Sequence, residues 1–253
     1  MRRALQCLLL GCLVFFMSDE ALAADTLIIA TEGQDPPFNF FNERGELTGF
    51  DVEIARALCE EMQTPCEFVT KAWDDLLPAL EKGEADLVMA SMAKTRDRER
   101  HALFSQSYYR SYSAFIGDPA RFSNTKTDEL KNLRIATASN SIQQQYIKRH
   151  YPEATLLAVA SPMEAYSALR ENRADVVMGD AMSLLRFLTS PQGQGYDFMA
   201  EPSDAQALKA TAHIAVSKLH PELLDKLNNA IESIRLNGEY DRVSRRYFPF
   251  SAF

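Results

Sequence analysis

A short pattern occurs twice in this chain and constrains the fold more than any other feature. Residues 79–89 and 168–178 share the frame Ala-Leu-x4-Ala-Asp-x-Val-Met. In each copy a polar turn joins the end of a helix to an apolar run of strand length. A second frame, Leu-x-Ile-Ala-Thr, is shared by residues 27–31 and 133–137 and predicts two opening strands. Either frame alone could be a chance likeness between common residues, but both in the same order predict two related lobes.

The two copies diverge two residues after the shared methionine, where one strand leads to Ser91 and the other to Asp180. Strands that alternate with helices predict parallel sheets. Open α/β sheets bind their ligands beyond the carboxyl ends of the strands. We therefore expect an α/β fold of two Rossmann-like lobes, with a cleft between them that receives polar groups from both.

The arrangement of the lobes follows from where the pattern restarts. Residues 108–116 and 212–217 are predicted to be extended segments that cross between the lobes, so that the C-terminus returns to the first lobe. We expect a first lobe of residues 24–112 and 213–253, a second lobe of residues 113–212, and hinges near 110–115 and 208–214.

Helices are predicted from apolar spacing, capping residues and glycine stops. The predicted helices cover residues 50–62, 74–82, 141–150, 163–171, 223–236 and 240–247. Asp51 is expected to be the N-cap of the first helix, and either Asn140 or Ser141 the cap of the third. Asp180 is a further possible cap, for a helix that begins near Ala181.

The first 23 residues are predicted to be an export signal. Two arginines precede a mostly apolar run, and residues 21–23 form a small-x-small cleavage site, so the mature chain is expected to begin at Ala24. The run is too short to span a bilayer, which takes about 20 residues. A lipoprotein cleavage box ending at Cys12 is the less expected alternative. We therefore predict a periplasmic protein.

Two cysteines, Cys59 and Cys66, remain after the signal, an even pair in an oxidising compartment. Pro65 ends the helix that carries Cys59 and lets the chain fold back, so we expect a disulfide. Two buried free thiols are the alternative, and a metal site is less expected because no histidine flanks the pair.

The charge balance argues against a nucleic-acid partner. The chain has 27 Lys and Arg against 35 Asp and Glu, a net charge of −8, and no basic stripe. Nucleic-acid binding depends on clustered basic residues, so we exclude it. The length of 253 residues, less the signal, suits two lobes of about 100 residues each.

Four stretches together resemble one protein family. They are Ala30-Thr31-Glu32-Gly33 with Pro37-Phe38, Gly49-Phe50-Asp51, Trp73-Asp74 with Leu77-Pro78-Ala79-Leu80, and Ser91-Met92 with Thr95 and Arg98. With them the chain resembles the family 3 solute-binding proteins of bacterial polar amino-acid transporters. The likeness is nearest to the branch that binds lysine, arginine, ornithine, histidine and opines, where a disulfide like Cys59–Cys66 is common. It implies a periplasmic clamshell that closes by hinge motion on one free amino acid.

The resemblance implies roles for residues at the amino-acid end of the ligand. Arg98 matches the arginine that grips the α-carboxylate, a task that suits the guanidinium fork. Asp180 matches the aspartate that takes the α-ammonium, which Ser91 could also receive through its hydroxyl or carbonyl. Ser141 and Ile142 match a helix N-terminus whose N–H groups meet the carboxylate. Without the resemblance, Arg98 would be assigned to a solvated charge run.

The resemblance also implies a pocket for the ligand side chain. Trp73 matches an aromatic platform for an aliphatic stem or guanidinium, with a core tryptophan as the alternative. Glu32 matches an acidic residue that faces the distal cation. Asp35 stands where an aromatic residue is usual, while Ala93 and Ile142 replace hydroxyl residues and leave only their N–H groups. Two acids near one aromatic favour a cationic ligand tip.

Two other functions use the same scaffold. A dehydratase of prephenate-like acids would need an acid or base over a dianion, which Glu32 and Asp35 would repel. The third possible function is that of a sensor subunit of a membrane receptor. The four histidines are isolated, and we find no triad order, zinc spacing or phosphate loop. We predict a monomeric binding protein, not an enzyme, that needs no cofactor or metal and serves an ABC permease of the inner membrane.

Overall fold

A computed structural model of the protein describes residues 26–122, 125–200 and 209–248. The predicted signal peptide, both of its proposed cleavage sites and the first residue of the predicted hinge at 208–214 lie outside the described residues. Within them, no helix has the length and apolar character needed to cross a membrane.

The described chain contains strands and helices in alternation. The strands are β1 Leu27–Thr31, β2 Gln34–Asp35, β3 Asn39–Phe41, β4 Leu47–Thr48, β5 Cys66–Thr70, β6 Leu87–Val88, β7 Leu103–Gly117, β8 Arg134–Ala138, β9 Thr155–Val159, β10 Val176–Asp180, β11 Asp197–Phe198 and β12 Lys209–Val216. The helices are α1 Phe50–Glu61, α2 Leu76–Glu81, α3 Thr127–Leu130, α4 Ile142–His150, α5 Pro162–Arg170, α6 Ala181–Leu188, α7 Leu223–Leu236 and α8 Glu239–Tyr247. All six predicted helices are present, with small shifts at their ends.

One long strand runs through both lobes. The main sheet has the strand order β5-β1-β6-β12-β7-β10-β8-β9. The first ten residues of β7, Leu103–Tyr112, run along β12, while its last five, Ser113–Gly117, pair with β10. In the first lobe β1 is parallel to β5 and β6, and in the second β8 is parallel to β9 and β10. These parallel pairs confirm the predicted α/β class, while the lobe bounds and hinges stay a prediction.

The repeated frames occupy equivalent places in the two lobes. Asp86 and Asp175, the aspartates of the longer frame, each accept a hydrogen bond from the second residue of an opening-strand frame. The donors are the N–H of Ile28, at 2.8 Å, and the N–H of Arg134, at 3.0 Å. In return, the N–H of each aspartate donates to the carbonyl of the same strand residue. The same reciprocal contact in both lobes supports an internal repeat rather than chance.

The start of α1 differs from the prediction. Gly49, with φ of 124°, is the N-cap, and Asp51 lies inside the first turn with its side chain in the core. A Cβ atom on Gly49 would lie 2.1 Å from the Phe38 carbonyl oxygen, so only glycine fits there. Asp51 is thus not the cap, because its carboxylate has partners elsewhere.

The predicted disulfide is confirmed, since Cys59 and Cys66 are bonded with their Cα atoms 6.2 Å apart. It links the last part of α1 to the first residue of β5. The disulfide lies in the first lobe, where α1 also packs against α7 and α8. Helix α1 is therefore held both by the disulfide and by the C-terminal helices.

Candidate ligand-binding cleft

A cleft lies between the two lobes, and its empty space, including the part that is open to solvent, is about 870 Å³. All nine residues predicted to bind the ligand line it: Glu32, Asp35, Trp73, Ser91, Ala93, Arg98, Ser141, Ile142 and Asp180. The structure therefore brings the whole predicted set together, although their roles toward a ligand stay predictions.

Arg98 lines the cleft and is 9% exposed. Its guanidinium donates to the Ala93 carbonyl at 2.8 Å and, across the cleft, to the Asn140 carbonyl at 3.0 Å. Burial lowers the pKa of the guanidinium to about 10, which leaves it charged at neutral pH. Its neighbours Arg96 and Arg100 are exposed to solvent. Of these three arginines, only Arg98 lines the cleft.

The N-terminus of α4 meets the cleft beside this arginine. The Ser141 hydroxyl caps the helix by accepting the Gln144 N–H at 3.0 Å, and it donates to the Ala138 carbonyl at 2.6 Å. The first N–H groups of a helix have no intrahelical acceptor, and the helix dipole makes this end positive. Arg98 and the start of α4 at Ile142 therefore form a place suited to an anion.

Asp180 stands at the carboxyl end of β10 and also caps α6. Its carboxylate accepts the Met182 N–H at 2.8 Å and a longer bond of 3.4 Å from the Tyr109 hydroxyl. Burial raises the pKa of this carboxyl. The predicted capping role is confirmed, and the partly buried carboxylate still lines the cleft, so one side chain could serve both helix and ligand.

A buried carboxylate supports the matching position of the first lobe. Asp51 accepts hydrogen bonds from the Tyr108 hydroxyl at 2.7 Å, the Asn39 amide at 3.0 Å and the Ser91 hydroxyl at 3.1 Å. Burial raises the pKa of Asp51 to about 6. Ser91 has a positive φ of 47°, a conformation that few non-glycine residues adopt. Its hydroxyl proton is committed to Asp51, so only its oxygen atoms can accept from a ligand.

The remaining acids give the cleft more acidic than basic side chains. Burial, and after it the nearby charge of Asp74, raises the pKa of Glu32 to about 7. Asp35 accepts a hydrogen bond from the Ser183 hydroxyl at 2.6 Å, and burial raises the pKa of its carboxyl well above the ordinary value. Among the described lining residues three carboxylates face one cationic side chain, Arg98. A cationic group would favour the ionised forms of these acids.

The chain matches the family model of bacterial extracellular solute-binding proteins, family 3, over residues 27–250. The chain belongs to this family. The match confirms the resemblance inferred from the four stretches and the location outside the cytoplasm, while cleavage after Ala23 stays a prediction.

This family 3 protein is similar to two bacterial arginine-binding proteins and to a solved structure. It is 34% identical over 251 residues to the L-arginine-binding protein of Pseudomonas aeruginosa, and the matched region covers 97% of each chain. It is 32% identical over 245 residues to ABC transporter arginine-binding protein 1 of Escherichia coli, over 96% of this chain and 98% of that one. A solved structure of an ancestral arginine-binding protein bound to arginine superposes with a TM-score of 0.83 at 28% identity, covering 89% and 99% of the chains. The two-lobed clamshell is thereby confirmed.

Several lining residues of this solute-binding protein were not predicted. They include Tyr109, Ser111, Gln143, Tyr166, Ser183 and Thr211. Ser183 follows the predicted cap Asp180 by three residues, so its place near the cleft could have been inferred from the first turn of α6. Tyr166 sits on a predicted helix, but nothing in the sequence indicates which face of that helix meets the first lobe.

Proposed function

We propose that this family 3 solute-binding protein binds a free cationic amino acid outside the cytoplasm and delivers it to an ABC permease. Arginine, lysine, ornithine, histidine and a related opine are the ligands considered. The observation that carries the proposal is the opposition of Arg98 and Asp180 in one cleft. An α-amino acid has a carboxylate and an ammonium on one carbon, and this pair of side chains complements both.

The cationic side chain is supported by charge. Glu32 and Asp35 line the cleft in addition to Asp180, and no described lysine, arginine or histidine forms an ion pair with any of the three. Each charge-assisted hydrogen bond contributes about 1.5–3 kcal/mol. Three or four of them, less the cost of ordering the ligand, suit micromolar binding, which corresponds to about −8 kcal/mol.

Closure around the ligand is part of the proposal, since hydrogen bonds already link the lobes. Asn140 of the second lobe accepts from Arg98 through its carbonyl and donates to the Asp74 carboxylate at 2.7 Å through its amide. The carboxylate of the ligand would bind Arg98 within this same set of hydrogen bonds. Closure that depends on ligand is what a permease needs in order to recognise the loaded protein.

Binding without chemistry is preferred over catalysis. A prephenate-like substrate is a dianion, and the acids of this cleft would repel it. A sensor subunit would use the same ligand site and differs only in its membrane partner, so it remains the second alternative. The relatives named above are binding proteins, which favours transport.

A thermal-shift screen of the twenty amino acids and common opines tests the proposal. A ligand present at about 100 times its Kd stabilises the folded state by about 2.7 kcal/mol. For a chain of this size that raises Tm by roughly 5–10 °C. We expect the basic amino acids to give the largest shifts. A shift only with prephenate or other dicarboxylates would contradict the proposal.

A further inference from the structure

The carboxylate of Asp51 is buried, and Asp51 is not among the described residues that line the cleft. Its Oδ1 accepts the Tyr108 hydroxyl and its Oδ2 accepts the Asn39 amide. The Ser91 hydroxyl lies 3.1 Å from both oxygens and shares its proton between them. In the described part of the chain no lysine, arginine or histidine forms an ion pair with Asp51. Three uncharged donors therefore hold this carboxylate.

One chain of hydrogen bonds leads from Asp51 to Ser91, which lines the cleft. The Ser91 hydroxyl donates to Asp51 directly, and its N–H donates at 3.1 Å to the Tyr108 hydroxyl, whose own proton goes to Asp51. The backbone of Ser91 has a φ of 47°, which residues other than glycine rarely adopt. Such a conformation persists only where its surroundings constrain it. The closed triangle of these three residues supplies that constraint.

A second chain of hydrogen bonds leads from Asp51 to the turn that follows Glu32. The Asn39 side chain is 0% exposed, and its amide nitrogen donates to Asp51 while its oxygen accepts the Gly33 N–H at 2.8 Å. Because each end of the amide has a partner of the opposite kind, the orientation of the amide is fixed. Gly33 directly follows Glu32, which lines the cleft. Asp51 is thus connected to a second part of the cleft through a single side chain.

We infer that Asp51 is a positioning residue for the ligand, whose carboxylate fixes Ser91 and the turn at Glu32 without touching the ligand itself. The inference rests on the proposed function, because it concerns the affinity of the same cleft. Ser91 and Glu32 are far apart in sequence and belong to different segments of the first lobe. Their hydrogen bonds converge on one buried carboxylate, so the affinity of the cleft depends on a group outside it.

An exchange of the amide and the carboxylate between positions 39 and 51 tests this role at constant charge. Asp51→Asn alone turns an amide N–H toward the Asn39 amide, and Asn39→Asp alone brings two carboxylates together. Calorimetry with L-arginine on ligand-stripped protein should show that each single substitution weakens binding about tenfold or more, because a buried group loses its partner.

The double variant Asp51→Asn with Asn39→Asp should recover the affinity. The new amide at position 51 can donate to the new carboxylate at position 39, which can still accept the Gly33 N–H. The oxygen that remains at position 51 can accept from Tyr108 and Ser91, as Oδ1 does now. We expect an arginine Kd within about threefold of the wild-type value, since every hydrogen bond has a partner again.

Asp86→Asn is the matched control. Asp86 also accepts a strand N–H in the first lobe, but it does not line the cleft. This substitution should lower the Tm and leave the arginine Kd within about twofold, as a purely structural carboxylate would. If neither single variant folds, Tyr108→Phe carries the test, because it removes only the hydroxyl between Ser91 and Asp51. It should weaken arginine binding about threefold or more.

Three outcomes decide the inference. Loss of affinity in the single variants with recovery in the double variant, or the loss in Tyr108→Phe where they do not fold, supports the positioning role. Wild-type affinity in these variants, or a double variant that binds no better than the weaker single one, overturns the role and leaves the proposed function standing. A wild-type protein that binds no amino acid overturns the proposed function and this inference with it.

Discussion

The guanidinium carbon of Arg98 lies 5.1 Å from the centre of the Trp73 ring. Trp73 is predicted to be a platform for the ligand, yet in this structure its ring orients the arginine that is expected to grip the ligand carboxylate. Cation–π contacts of this kind contribute about 0.5–2 kcal/mol. The tryptophan is half-buried: it packs against a core cluster of the first lobe and also lines the cleft, and its role toward a ligand stays a prediction.

The first prediction concerns Arg98. Arg98→Ala should weaken arginine binding at least 100-fold, because two charge-assisted hydrogen bonds to the ligand carboxylate would be lost, each of about 1.5–3 kcal/mol. Arg98→Lys should recover only part of the affinity, since an ammonium lacks the planar fork. Calorimetry measures both, and the exposed Arg100→Ala is the control. Full affinity in Arg98→Ala would refute the assignment of this residue.

The second prediction separates the two roles of Asp180. Asparagine caps helices about as well as aspartate, whereas alanine does not. Asp180→Asn should therefore keep the Tm of the ligand-free protein within a few degrees and still abolish measurable amino-acid binding. Asp180→Ala should lose the binding and also about 1 kcal/mol of stability. If Asp180→Asn binds like the wild type, the carboxylate does not take the ligand ammonium.

The third prediction is a pH dependence that originates at Glu32. Its pKa of about 7, against an ordinary value of 4.5, means that much of this carboxyl is protonated below neutrality in the ligand-free protein. A cationic ligand favours the ionised form, so arginine affinity should rise as the pH increases from 5.5 to 8.5, with proton release on binding. Titrations in buffers of different ionisation enthalpy measure that release.

The raised pKa of Glu32 has the opposite effect on the stability of the ligand-free protein, which should fall as the pH rises. A carboxyl whose pKa is raised by folding stabilises the folded state below its unfolded pKa, and this contribution is lost as the pH rises toward 7. Glu32→Gln should remove both effects and weaken arginine more than citrulline. An arginine affinity that is flat across this pH range in the wild type would contradict the role of Glu32.

The fourth prediction concerns the disulfide between Cys59 and Cys66, which closes a short loop with a sequence separation of 7. Loop-closure entropy assigns about 2.5 kcal/mol to a loop of this size. The double substitution to alanine should lower the free energy of unfolding by roughly that amount in urea titrations. Neither cysteine lines the cleft, so the arginine Kd should stay within twofold. A large change in Kd would indicate that the disulfide and the cleft are coupled.

Local patterns predicted most of the fold. The repeated frame located two helix–strand units, and the structure adds that Asp86 and Asp175 fix each unit to its opening strand by the same pair of hydrogen bonds. The helix α7 has the predicted bounds, because its apolar spacing is regular and Gly238 follows it. These features depend on residues close in sequence, which is why the sequence reveals them.

Other parts of the site could not be predicted from local sequence. Asp51 follows a glycine in a way that is typical of a cap, but its partners Tyr108 and Ser91 are 57 and 40 positions away. The bond between Asp35 and Ser183 spans the cleft, so it depends on how the lobes meet rather than on either segment. Residue types at the site were predictable from the resemblance, whereas their contacts were not.

The most direct test of the account is a calorimetric titration of wild-type protein, stripped of ligand by unfolding and refolding, with L-arginine. The account predicts one site per chain, a Kd in the micromolar range or tighter, and competition by lysine or ornithine. No heat and no thermal shift with arginine, lysine, ornithine or histidine would contradict it.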